Sequence, residues 1–335
     1  MKNFVANLLL VFFSLVISCL LFEIFLRIFY PMQESMEWFE SSEKYGYYQK
    51  KSFNQDYQYP NHPFIMKVRT NSFGHRYFEY DAENFNNDNY KKILLIGDSF
   101  VFGHGVNIEN HIAYYLDNML SDFDTNMVVI NGGVGGWGTL QETEYAKDNL
   151  NIFNPDVIVL FFCGNDPADD VMYLSGMRDN EKGIFYFPGK VFLRNNSHFY
   201  RFLIIQFKKL LHRATLNKKI KEEAAILNRQ SGNIISSKDW KNTLKYIKDF
   251  QNEFIKYNSN GVLLIAGTAP WNSDVRDNLL SISNNKNIYY VDLYDETINL
   301  SDDQKKLPHD GHWSPLIHKM FAQKIKSIIK NISFN

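Results

Sequence analysis

Cysteine is nearly missing from this chain: Cys19 and Cys163 are the only two among 335 residues. Cys19 falls in an N-terminal apolar segment and Cys163 at the end of an apolar run, so no disulfide between them is expected. Cysteine usage therefore says nothing about the redox compartment. No Cys/His spacing of a zinc site occurs, nor a Walker or dinucleotide-binding glycine fingerprint, so neither a metal nor an organic cofactor is expected. Charge of one sign is also lacking. The formal net charge is −1, which removes the electrostatic footprint of a nucleic-acid binder. Apolar residues are plentiful at 45%, which supports a substantial core. The length allows one large domain or two small ones.

From Phe4 to Phe22 the chain is almost wholly apolar, broken only by Asn7, Ser14 and Ser18. That is close to the roughly 20 residues that cross a bilayer as a helix. Lys2 and the α-amino group supply a positive flank, while Glu23 and Arg27 interrupt a further apolar stretch ending at Tyr30-Pro31. Residues 1–31 are read first as a retained signal anchor, a single transmembrane helix. Two alternatives stay open. One is a cleaved signal, although no small-x-small site follows the run. The other is lipid attachment at Cys19, where Val16-Ile17-Ser18-Cys19 fits a loose lipobox but apolar residues continue beyond it. Each reading puts the bulk of the chain outside the cytoplasm, in the periplasm if the cell is Gram-negative. Lys44, Lys50, Lys51 and Lys67 on the far side make positive-inside evidence thin.

Residues 32–90 show no sustained periodicity and read as a linker plus an N-terminal extension, with a turn at Thr70-Asn71-Ser72-Phe73-Gly74-His75-Arg76 anchoring it. From residue 91 to 335 strand and helix patterns alternate. Strands are expected at Ile93–Ile96, Met127–Ile130, Val157–Phe162, Val262–Ala266 and Ile288–Val291. Helices are expected at Glu109–Leu120, Gln141–Phe153, Asp239–Tyr257 and Ser314–Lys330. This alternation predicts a parallel sheet with helices on both faces. An insertion at about 167–238 interrupts it. Its first part, through Phe185-Tyr186-Phe187-Pro188-Gly189, reads as a hairpin or irregular loop. Its second, His198–Arg229, reads as a basic helix, either a cap or a helix lying on an anionic membrane.

The stretches that can carry chemistry follow the apolar runs. Gly97-Asp98-Ser99-Phe100 puts a serine at the C-terminal tip of the first strand, the edge where open α/β sheets bind ligands. A serine hydroxyl becomes a nucleophile only beside a base, and its reaction needs donors for the developing oxyanion. Asn131-Gly132-Gly133-Val134-Gly135-Gly136-Trp137-Gly138-Thr139 follows the second strand, where glycines let backbone N–H groups approach a ligand. Gly164-Asn165-Asp166 follows the third and offers a side-chain amide, with Asp166 read as support for the loop. Near the C-terminus, His309-Asp310-Gly311-His312-Trp313-Ser314-Pro315 supplies an imidazole and a carboxylate to orient it.

Ser, Gly, Asn and His in that chain order, each at a strand tip, resemble the SGNH (GDSL-type) hydrolases over residues 70 to 330. The resemblance implies a flavodoxin-like three-layer α/β/α sandwich with a five-stranded parallel sheet in the order 2-1-3-4-5. It implies Ser99 as nucleophile, His312 as base and Asp310 as the acid orienting it. It implies an oxyanion hole of the Ser99 N–H, the Gly136 N–H (Gly135 being the alternative) and the Asn165 amide. Asp310 stands one residue closer to His312 than in the family's commonest Asp-x-x-His, where His309 holds the acid's place. Asp-x-His occurs in related membrane-anchored and polysaccharide-modifying members. The anchor followed by Phe22-Glu23-Ile24-Phe25-Leu26-Arg27 is similar to that membrane-anchored branch, which includes relatives of alginate O-acetylation proteins. The implied activity is that of a serine esterase or O-acyltransferase acting on an ester, with an acetyl group of a cell-surface glycan as first candidate. Two rivals remain: a non-catalytic envelope scaffold retaining the fold, and a lipase-like esterase of membrane lipid. His318 reads as structural, and nothing in the sequence singles out His104 as a base.

Overall fold

The computed structural model describes residues 2–30, 38–59, 62–122, 126–174, 193, 196–203, 206, 237–268, 273–283, 287–308 and 310–332. The chain divides into two units. The first comprises Met1–Glu37 and Glu181–Leu227. Its main element is α1 (Lys2–Phe29). Within it, Phe4–Phe29 is 26 residues long with an 18-residue stretch of mean hydropathy 2.7, long and apolar enough to cross a membrane, a test that a signal sequence also passes. Glu23 and Arg27 have partners inside this unit. The Glu23 carboxylate accepts from the Ser197 hydroxyl at 2.9 Å and from the backbone N–H groups of His198 at 3.0 Å and Phe199 at 2.7 Å. Arg27 pairs with Glu23 and donates to the Asn196 carbonyl. Phe22 meets the rings of Phe199 and Phe202 edge-on. Residues 198–203 are helical. The rest of the expected basic helix up to Arg229, except Gln206, and the stretch 185–189 lie outside the described residues.

The second unit comprises Trp38–Asn180 and Asn228–Asn335. It begins with two antiparallel hairpins, β1 (Phe39–Ser42) with β2 (Gly46–Gln49) and β3 (Asn54–Gln58) with β4 (Ile65–Arg69). These strands of four or five residues account for much of the extension that showed no period. Alternation is visible in β4, where Met66 and Val68 turn inward. They join Trp38, Tyr59 and Phe102 in a small core of their own.

Next come the five sheet strands, β5 (Lys91–Ile96), β6 (Met127–Asn131), β7 (Val157–Phe162), β8 (Val262–Gly267) and β9 (Ile288–Val291). All neighbours pair in parallel, in the order β6-β5-β7-β8-β9, which is the expected 2-1-3-4-5. The runs are unbroken because each face of the sheet is covered. Ile93, Leu95, Val157, Val159, Val262 and Leu264 pack toward the helices Ile112–Ser121 and Pro315–Ile329. Leu94, Ile96, Ile158, Leu160, Leu263 and Ile265 pack on the other side with Thr139–Phe153, Ser237–Tyr257 and Ser273–Ile282. The helix expected from Glu109 begins instead at Ile112. Ile108–Asn110 forms a 3-10 turn, and the His111 ring nitrogen accepts from the Tyr114 N–H at 3.2 Å, capping the helix at that point. A last, short hairpin pairs β10 (Lys306–Leu307) with β11 (Asp310–Trp313).

Candidate active site

The site assembles at the C-terminal edge of the sheet, where β5, β6 and β7 end. Ser99 opens the short helix Ser99–Phe102, whose first turn is capped by Asp98 accepting from the Phe100 N–H at 3.0 Å. Gly97 allows the sharp entry. A Cβ there would stand 2.5 Å from Val101 Cγ2 and 3.0 Å from Phe161 Cβ, closer than side chains tolerate.

β11 brings the imidazole. Residues two apart on a strand share a face, so Asp310 and His312 point the same way while Trp313 points into the core. Trp313 packs there on Phe321, Phe100 and Phe161 and beside buried His318. That explains why Asp-x-His is a workable spacing: the acid and the base are strand neighbours on one side. His312 Nε2 lies 2.7 Å from Ser99 Oγ. His312 Nδ1 is hydrogen-bonded to Asp310 Oδ1, which also accepts from the His312 backbone N–H at 3.2 Å. With Nδ1–H donating to the carboxylate, Nε2 is left as the acceptor for the Ser99 hydroxyl. Burial raises the Asp310 carboxyl, but hydrogen bonds from His104 and His312 overcome this and hold it well below the usual carboxylate range. His309 lies outside the described residues.

The two other motifs arrive from the neighbouring strands. Val134–Trp137 is a turn closed by Trp137 N–H to the Val134 carbonyl at 3.2 Å, with Gly136 at φ +80° in its third position. That conformation favours glycine. A Cβ on Gly135 would lie 3.8 Å from Ser99 Cβ and 3.7 Å from the Phe39 ring. Tyr47 pins the Gly135 carbonyl with a hydrogen bond of 3.0 Å. The Asn165 amide donates to Asp169 Oδ2 at 2.7 Å and, at a longer 3.4 Å, to Asp98 Oδ2. The short bond fixes the amide. Burial pushes the Asp98 carboxyl upward.

Three contributors had no sequence signal of their own. Asp169 orients Asn165. Arg76, which the sequence reading placed in a simple turn, is fully buried and donates to the carbonyls of Phe102, Gly103, Val106 and Lys67. It thereby fixes the chain that follows the serine helix. His104 stands with Nε2 3.4 Å from Asp310 Oδ2. Its only clue was proximity to Ser99 in sequence. His104, Asp310 and His312 also offer one ligand atom each within 4.8 Å of one another, the one such group among the described residues. Both imidazoles already face the carboxylate, so an ion there would capture the base rather than assist it.

Around the tip of β7 lies a group of buried acids. Asp166 accepts from the Cys163 N–H and the Thr139 hydroxyl, both at 3.0 Å, and so ties β7 to the helix Thr139–Phe153. Glu142, 1% exposed, has no hydrogen-bond partner for either oxygen among the described residues. Burial raises its carboxyl strongly, and Asp166, Asp98, Asp170 and Asp169 add to the effect. A carboxyl raised on folding keeps its proton while the unfolded chain loses it, so stability falls as pH climbs above the unfolded value. Glu142→Gln is therefore expected to stabilise the protein increasingly from about pH 5 to pH 8, by up to about 1.4 kcal/mol per pH unit. Thermal melts at both ends of that range check it; an equal difference at the two would refute the protonated Glu142.

Fold and site together are those of an ester-hydrolysing enzyme of the α/β class. Residues 93–325, well over half of the chain, match the family GDSL-like Lipase/Acylhydrolase. The chain belongs to that family. Among solved structures, it is similar to a family 3 carbohydrate esterase of Clostridium thermocellum, with 16% identity, covering 73% of this chain and 100% of that one at a TM-score of 0.41. It is also similar to a lipase/acylhydrolase of Enterococcus faecalis, with 15% identity, covering 72% and 96% at a TM-score of 0.42. A third is the psychrotrophic esterase of Pseudoalteromonas sp., with 14% identity, covering 73% and 98% at a TM-score of 0.40. A comparison with curated proteins returned no match.

Proposed function

We propose that this protein is a membrane-anchored, extracytoplasmic serine esterase that removes or transfers a short acyl group, acetyl first, on a cell-surface glycan. The observation that carries this reading is the line from Ser99 Oγ through His312 to Asp310. In the first half-reaction His312 Nε2 takes the hydroxyl proton as Ser99 Oγ attacks the ester carbonyl. The tetrahedral oxyanion is held by the Ser99 N–H, the Gly136 N–H and the Asn165 amide. Collapse expels the alcohol, which leaves with the proton from His312, and Ser99 carries the acyl group. Water, or a sugar hydroxyl, then gives its proton to His312 and attacks that acyl-serine, and the proton returns to Ser99 Oγ. Asp310 stabilises the imidazolium in both halves.

The choice of a short acyl group is supported by the Phe39 ring, which stands on the far side of Gly135 from the serine: a Cβ on Gly135 would lie 3.7 Å from Phe39 Cζ and 3.8 Å from Ser99 Cβ. The glycan reading is supported by the resemblance to the membrane-anchored branch and by the apolar N-terminal helix, which favours a site held at the cell surface. Acetate release from acetylated polysaccharides, set beside turnover of p-nitrophenyl acetate and p-nitrophenyl palmitate, tests the proposal. Acetylated substrates should be cleaved and the palmitate left nearly untouched. Preference for the palmitate, or for phospholipid, would replace this reading with the lipase-like one.

A further inference from the structure

An orienting carboxylate has two oxygens, and holding one of them leaves it free to swing about its side-chain torsions. In this site Oδ1 of Asp310 serves His312, and Oδ2 faces Nε2 of His104 at 3.4 Å. His104 is 8% exposed. Its ring is enclosed by Tyr59, Phe102, Trp38 and Tyr57, with centroids 5.7 to 6.5 Å away, and it lies 4.8 Å from the ring of His312.

The main chain fixes His104 as well. The left-handed turn at Gly103, φ +75°, folds the chain back after the serine helix. The His104 N–H then donates to the Ser99 carbonyl at 2.9 Å. Arg76 clamps the carbonyls of Phe102, Gly103 and Val106 on either side of it. The same short turn thus presents the nucleophile at one end and an imidazole for the acid at the other. The titratable and charged groups facing His104 are Asp310, His312, Arg76, Tyr57 and Tyr59. Burial, the largest influence, holds the His104 imidazole below its ordinary value. It is neutral at neutral pH, with a single N–H to place.

We propose that His104 is a positioning residue whose Nε2–H holds Oδ2 of Asp310, so that Oδ1 stays on His312 in the short Asp-x-His arrangement. This rests on the reading of Ser99, His312 and Asp310 as the reacting set. It gives the N-terminal extension a part in catalysis, because Trp38 and Tyr57 wall in the ring that holds the acid and Tyr59, packed on that ring, also faces Asp310 itself. It also separates the two imidazoles by task. His312 moves protons, and His104 keeps one on Nε2 throughout.

The test compares His104→Phe, which keeps a ring but has no donor, with His104→Gln, which restores an N–H donor, in the full-length enzyme. Ser99→Ala measured alongside is the benchmark for the underlying reading. His104→Phe should lower kcat on the order of 10- to 100-fold, the weight of one hydrogen bond to a charged group, with KM changed less than about twofold. The acid limb of kcat/KM should move to lower pH, because an Asp310 free to swing off Nδ1 stabilises the His312 imidazolium less. His104→Gln should recover most of the rate and the position of the limb. If turnover depends on Ser99 but His104→Phe keeps the wild-type kcat and limb, or Gln behaves as Phe does, the positioning role is wrong and the serine reading survives. If Ser99→Ala keeps turnover, the reading beneath falls and takes the proposal with it. Nitrogen-15 spectra of the wild-type imidazoles decide the matter without any variant: a proton on His104 Nε2 is expected, and a proton on Nδ1 alone overturns the proposal.

Discussion

Ser99→Ala is expected to lower kcat for p-nitrophenyl acetate on the order of 10⁵- to 10⁶-fold, and His312→Ala by a similar factor. The reason is that neither group is effective alone. The hydroxyl has no nucleophilic strength without Nε2 2.7 Å away, and the imidazole has no covalent route without the hydroxyl. The double variant should consequently be scarcely slower than either single one. Turnover left over in all three should reflect the oxyanion donors and binding alone. Both single variants should keep the wild-type melting temperature within a degree or two, since Ser99 and His312 are half-exposed and surface changes of this kind alter stability little. Losses that multiply in the double variant would mean that the two residues act on separate steps.

Arg76→Met is expected to lower stability by about 3–5 kcal/mol, as for other buried charges whose partners are left behind. In melting temperature this is a fall of roughly 10 °C for a domain of this size. The guanidinium has no exposed surface and no carboxylate partner among the hydrogen bonds it makes; it donates to four backbone carbonyls. Burial lowers it to about 10, so it stays charged at neutral pH. Its planar fork reaches carbonyls on both sides of the serine turn and one on β4, which a flexible stem with a point charge cannot span. Arg76→Lys should accordingly recover only part of the loss. Because those carbonyls frame His104, kcat should fall as well in whatever fraction of Arg76→Met remains folded. Calorimetry and single-turnover measurements on the same samples check both effects; a melting temperature within a few degrees of wild type would show that the carbonyls find other partners.

The strands were legible because a run such as Val157–Phe162, buried at every position, has no other soluble home. Strand order came from resemblance, since local pattern does not state which runs lie side by side. The hairpins of the extension were not legible. At four or five residues each they are shorter than the window in which alternation stands out, and the inward side chains of β4, Met66 and Val68, are buried against Phe102 and Trp38, a contact that only folding makes. The site shows the same division. Ser99, Gly136, Asn165 and His312 were nameable because each follows or occupies a strand at the same edge. The structure brings Ser99, His312 and Asp310 together, and sets Asn165 against Asp98. Arg76, Asp169 and His104 were invisible for a common reason: each acts through groups that only folding collects. Arg76 serves carbonyls from residues 67 to 106, and His104 serves a carboxylate more than 200 positions away. No local spacing encodes such a meeting.

The hydrogen bond between Ser99 and His312 joins residues 213 positions apart. The serine turn sits on the first strand of the sheet and its base on the last hairpin, just before the closing helix. A chain grows from its N-terminus, so during synthesis the nucleophile exists long before the imidazole that activates it. Until the last hairpin is made, the growing polypeptide carries the serine without its base and is inert. Products of premature termination before His312 would hold an unarmed serine.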